Sequence, residues 1–147
     1  MSDAHAMGVL AGMGIFFVLL IIPFLIAAIF YCIALQGTMN KLSPANKPFE
    51  GALIWLSFIP ILGGIWHLVY ICMLSSAIQK DYQAAGQQND GALPMAIGIA
   101  VCSVASVIPL IGMLAALVGF VLWIMYWLRI NAYRKTLPVG GLTAIPA

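Results

Sequence analysis

Charge is what this sequence has least of. Only 7% of its 147 residues are charged, 64% are apolar, and the mean hydropathy is +1.10. Soluble domains are about a quarter charged and about half apolar, so a water-facing globular surface is excluded and the chain reads as an integral membrane protein. No charged residue occurs from Met7 to Asn40, from Gly51 to Gln79, or from Gly91 to Leu128. About 20 apolar residues suffice to cross a bilayer, so each run is long enough. The opening "MSDAHAMG" lacks the basic segment of a signal peptide, and the first run is read as an uncleaved span.

Acids and cysteines are scarce too, and their placement excludes most chemistry. The four acids, Asp3, Glu50, Asp81 and Asp90, read as loop or tail residues. No nucleophile–base pair, metal-ligand spacing or phosphate-binding glycine loop is present, so no enzyme activity, cofactor or metal is expected. Proton-coupled transport would want an acid within the membrane. The three cysteines, Cys32, Cys72 and Cys102, lie in apolar runs without a CxxC pair and read as small buried side chains. Eight methionines are scattered among the same runs and read as packing. The six basic residues cluster as membrane flanks do, and no nucleic acid is needed to explain them.

Proline and glycine then decide the topology. The run from Ala92 to Leu128 would be roughly 55 Å as one helix, nearly twice the ~30 Å hydrocarbon core. It breaks at "IPLIG", where Pro109 removes a donor and Gly112 tolerates a left-handed turn. The run from Ala52 to Ile78 repeats the passage, with Ile59-Pro60-Ile61-Leu62-Gly63 matching Ile108-Pro109-Leu110-Ile111-Gly112. About twenty residues separate Pro60 from Lys80 and Pro109 from Arg129, a rise of ~30 Å in each case. A second hairpin at Pro60, Gly63 and Gly64 is therefore expected, its alternative being a single proline-kinked helix. The hairpin also puts Lys41, Lys47, Lys80, Arg129, Arg134 and Lys135 on one side, which the positive-inside rule makes cytoplasmic.

The fold expected is an all-α bundle of four to five membrane segments in one domain, residues 1–147. The segments are about 8–35, 48–59, 61–79, 93–108 and 110–130, with a cytoplasmic tail 131–147. Asn46 can cap the second and Pro48 can open it, but its ~18 Å length suits a re-entrant leg. Pro23 is expected to kink the first helix. Met1 and the Pro109 to Gly112 turn are placed outside.

The stretch from Leu42 to Leu137 carries a pattern of Ser43, Pro44, Asn46 and Lys47, then Trp55, Leu56, Ile59 and Pro60. In this it resembles a group of small bacterial multi-pass membrane proteins of uncharacterised role, some carrying a GYF-like domain that has no counterpart here. The resemblance implies the bacterial inner membrane and brings no activity with it.

Within the spans the one ionisable residue is His67, with Tyr70 one turn on and able to orient its ring. A single packed histidine is the commoner case, and burial for structural reasons is the favoured reading. Small residues recur at four-residue spacing at Gly8 and Gly12, at Gly98, Cys102 and Ser106, and at Ala115 and Gly119. That spacing lets helices approach closely in lipid, within one chain or between chains. Phe120, Trp123 and Trp127 form a stripe suited to a membrane interface. The function expected is a non-enzymatic scaffold or accessory subunit in the lipid bilayer, a homo-oligomer or part of a larger membrane complex. The alternative is a small oligomeric channel or carrier built on the two Ile-Pro-x-x-Gly hairpins.

Overall fold

A computed structural model describes residues 3–142 of the chain, which are helical with no strand among them. Met1, Ser2 and the tail from Thr143 onward, for which the sequence predicts opposite sides of the membrane, lie outside the described residues. Four α-helices follow one another: α1 (Asp3–Met39), α2 (Leu62–Ala84), α3 (Leu93–Ala105) and α4 (Ile111–Thr136), with a 3₁₀ helix, Gly51–Phe58, between α1 and α2. The chain divides into two compact units, Met1–Tyr31 and Cys32–Ala147.

The first unit consists of α1 as far as Tyr31. From Met7 to Phe30 the side chains described are exposed, apart from half-buried Ala27 and Ala28. The helix runs on through Pro23, as membrane helices can.

In the second unit two hairpins stand side by side. The 3₁₀ helix packs on α2, α3 packs on α4, and α2 joins the pairs by packing on α3. The chain reverses at Pro60: Trp66 Nε1 donates to the Leu53 carbonyl at 2.6 Å and the Tyr70 hydroxyl to that of Gly51 at 2.9 Å, so the legs run antiparallel. The hairpin, and not the kinked single helix, describes this run.

Three helices, α1, α2 and α4, have the length and apolarity to cross a membrane. The other two legs are short. The 3₁₀ helix of 8 residues rises ~16 Å and α3 with 13 residues ~20 Å. Several boundaries differ from those expected. Pro48 opens no helix and Asn46 caps none; Glu50 stands at the N-cap, and its side chain bonds to none of the helix's first amides. Tight winding there eclipses side chains three apart, and the Trp55 and Phe58 rings stack at 5.7 Å. α3 stops at Ala105, short of 108. α2 continues to Ala84 and α4 to Thr136, so the tail begins at Leu137, just before Pro138.

The core of the second unit sits at one end. Tyr70, Ile71, Leu74, Ser75, Ile78 and Asp81 form one buried stripe along α2, and Tyr126, Ile130 and Tyr133 form another along α4. Leu35, Met39, Ile54 and Leu137 close around them. Beyond this core the hairpins carry exposed apolar side chains up to their tips, Ile65, Val104, Val107, Met113 and Leu114 among them.

Candidate functional site

Two regions of the second unit stand out, the turns at the hairpin tips and the polar cluster at the opposite end. Both turns have the same geometry. Ile61 (φ 68°, ψ −60°) and Leu110 (φ 72°, ψ −55°) occupy the positive-φ region. The Leu62 N–H bonds back to the Pro60 carbonyl at 2.8 Å and the Ile111 N–H to that of Pro109 at 2.9 Å. These are γ-turns of the rare, strained kind. The next amide donates in the same way, Gly63 to Ile59 and Gly112 to Ile108, each at 2.7 Å. Holding a residue in so sparsely populated a region costs about 1–3 kcal/mol, and a β-branched isoleucine is an unusual occupant.

The glycines act otherwise than expected. Neither Gly63 nor Gly112 has positive φ. A Cβ on Gly63 would overlap the Ser57 carbonyl, and one on Gly112 the Ser106 carbonyl, so these glycines let the two legs touch backbone to backbone. Gly64, expected to share in the turn, has open space where its Cβ would be.

His67 and Tyr70 are separated in role. His67 is half-buried on α2, while Tyr70 is fully buried and its hydroxyl donates a hydrogen bond to the Gly51 carbonyl. Phe49 packs on both Trp66 and Tyr70, with ring centroids 5.6 and 5.1 Å apart. The buried hydroxyls farther along bind helix to helix: Tyr126 donates to the Ile71 carbonyl at 3.1 Å and lies 3.0 Å from Ser75 Oγ, and Thr38 Oγ1, 2.8 Å from the Ala34 carbonyl of its own helix, lies 3.4 Å from that of Ile130 on α4. Among the described residues no three His, Cys, Asp or Glu side chains are grouped to hold a metal ion.

Small residues on α3 and α4 face each other. A Cβ on Gly119 would lie 3.1 Å from Cβ of Cys102, and one on Gly98 3.0 Å from Leu122 Cδ1. Ser106 contributes its carbonyl to the Gly112 contact, and Ala115 is half-buried one turn from Gly119. The stripe is thus used inside the hairpin. Gly8 and Gly12 on α1 have nothing within 4 Å of a Cβ. The aromatic stripe is continuous, Phe120 to Trp123 at 6.0 Å and Trp123 to Trp127 at 5.7 Å.

At the other end the polar residues interlock. Asp81, expected in a loop, lies on α2 and is fully buried. It accepts from Asn46 Nδ2 at 2.9 Å and from the Leu142 N–H at 3.3 Å. Lys41 Nζ donates to the carbonyls of Arg134 and Leu137 at 2.6 and 3.0 Å, closing the C-terminus of α4. Arg129 pairs with Asp90 at 2.8 Å, and the Tyr133 hydroxyl donates to Asn89 Oδ1 at 2.6 Å. Beside this pair a cleft of about 490 Å³ is lined by Gln79, Gln83, Gln88, Asn89 and Asp90. Lys47 pairs with Glu50 at 2.9 Å. These links join Lys41 to the end of α4, the Asn46–Lys47 loop to the Asp81 turn beside Lys80, and Asp90 to Arg129, so the six basic residues gather at the end remote from the tips.

Asp81, Lys41, Ile61 and Leu110 are the residues that sequence reasoning missed. Comparison with known protein families, curated proteins and solved structures returns no match for the chain.

Proposed function

We propose that this is a non-enzymatic integral membrane protein that works as a scaffold or accessory subunit, joined through α1 to a second copy of itself or to a larger membrane complex. The observation that carries the reading is a contrast in glycine use. The small residues of α3 and α4 are consumed within one hairpin, whereas Gly8 and Gly12, at the same spacing, are open. Without a hydrophobic drive between helices in lipid, close backbone approach at such residues is what favours association.

The orientation follows from charge. With six basic residues at one end of the second unit, that end is cytoplasmic, α1 enters from outside and the tail is internal. The resemblance of the Ser43 to Pro60 pattern to small bacterial membrane proteins supports the inner membrane as the location. The basic side chains serve the fold, in the Lys41 cap and the Lys47 and Arg129 ion pairs, and no nucleic-acid role is proposed.

Extraction into native nanodiscs followed by mass determination tests the reading. More than one chain per particle, or a stoichiometric second protein, is expected, with Gly8→Leu and Gly12→Leu reducing the particle to one chain at unchanged thermal stability. A wild-type particle holding one chain and no other protein would sink it. The identical geometry of the two turns is what a channel or carrier would rest on instead. Solute flux in reconstituted vesicles, lost on His67→Leu with the fold intact, would favour that alternative.

A further inference from the structure

The hairpin tips are built against the usual chemistry of a turn in water. Turns that meet solvent take Gly, Asn or Asp where φ is positive and leave backbone groups to be hydrated. Here the positive-φ positions are Ile61 and Leu110, and their side chains, 93% and 92% exposed, are the two most exposed large apolar side chains among those described. No side chain caps the start of α2 or α4. In its place the carbonyls of Pro60 and Ile59, and of Pro109 and Ile108, accept from the first amides, while the proline that opens each turn removes one donor altogether. A helix start in water needs none of this, because water satisfies its free amides. In hydrocarbon it does, because polar backbone must find partners within the protein. The same solution appears twice in one chain.

Length agrees. From Ile61 to Lys80 and from Leu110 to Arg129 the helices rise ~28 Å, and a tilt of ~20–40° reduces that to ~22–27 Å of depth against a ~30 Å hydrocarbon core. With Lys80 and Arg129 held at the cytoplasmic boundary, the tips stop short of the opposite headgroups.

We propose that both hairpins are re-entrant wedges, driven into the bilayer from the side of the basic residues, with Ile61 and Leu110 ending in hydrocarbon and covered by acyl chains of the far leaflet. α1 then alone passes fully from one aqueous phase to the other, and the expected external turn at Pro109 to Gly112 lies within the membrane. The proposal rests on the membrane reading above but not on the oligomeric one.

Spin labels on Ile61→Cys, Leu110→Cys, Leu117→Cys and Gln88→Cys, each in the otherwise cysteine-free full chain in liposomes, test it through collision with oxygen, which concentrates in hydrocarbon, and with a water-soluble nickel chelate. Ile61 and Leu110 touch little, so their labels leave the fold undisturbed. The expected result is that both tips match Leu117, with high oxygen collision and nickel collision at least tenfold below Gln88. Nickel collision at the tips equal to that at Gln88 would overturn the proposal by placing them in water. Exclusion of both reagents would overturn it by placing them against protein. Nickel collision at Leu117 itself would remove the membrane reading, and the proposal with it.

Discussion

Asn46 donates a 2.9 Å hydrogen bond to Asp81 Oδ1 across thirty-five positions of sequence. The carboxylate is fully buried and its other oxygen accepts from the Leu142 N–H at 3.3 Å. One side chain on α2 thus fixes both the loop that follows α1 and the strap that follows α4. Gly141 has φ 81°, and a Cβ there would overlap Asp81.

Replacing Asp81 leaves two half-buried donors without an acceptor. A fully buried group left so costs about 1–3 kcal/mol, so Asp81→Ala is expected to lose about 1–3 kcal/mol in all, and Asp81→Asn, which keeps one acceptor oxygen, less. Unfolding of the detergent-solubilised protein reads the difference. An Asp81→Ala variant as stable as wild type would show that the strap is held by other contacts.

Adjacent glycines are expected to behave oppositely. Gly63→Ala forces the hairpin legs apart against a backbone carbonyl and should cost about 1–3 kcal/mol, as should Gly112→Ala. Gly64→Ala meets open space and should stabilise by up to about 1 kcal/mol through helix propensity. Equal effects at Gly63 and Gly64 would contradict the close contact with Ser57.

Lys41→Met removes a charged cap from two carbonyls at the end of α4. A loss of about 1–2 kcal/mol is expected, together with faster amide exchange confined to the last turn of α4. Wild-type exchange there would mean that the cap contributes nothing.

Much of this fold can be read from the sequence, and the rest fails for identifiable reasons. Charge-free runs mark α1, α2 and α4, and the Ile-Pro-x-x-Gly repeat places both reversals at the right residues. What a turn rule cannot show is which residue takes positive φ. Gly63 and Gly112 are the natural choices, yet the legs need them for close approach, and the strain passes to Ile61 and Leu110. Asp81 is illegible for a different reason. In "QKDYQ" it looks like a loop acid, and its partners, Asn46 and Leu142, are thirty-five and sixty-one positions away. The 3₁₀ helix Gly51–Phe58 has two carbonyls that accept from Trp66 and Tyr70 on α2, partners that no local pattern contains.

The proposed sidedness rests on the clustering of basic residues. Single cysteines at Asn40 and Gln88, in an otherwise cysteine-free chain, should both resist an impermeant maleimide applied to intact cells and both react after the cells are opened. Labelling of one and not the other from outside would contradict the common cytoplasmic placement of the two loops.

The proposed association of α1 is tested most directly by photo-cross-linking within native membranes. Ile15 and Leu19 lie on the Gly8–Gly12 face of the helix by its 3.6-residue period, and Phe17 and Ile21 lie opposite; all four side chains are exposed. With a photoreactive residue at each position in turn, Ile15 and Leu19 are expected to give protein adducts, to a second copy or one other membrane protein, while Phe17 and Ile21 give lipid adducts alone. Lipid adducts alone at all four positions would contradict a role exercised through this face.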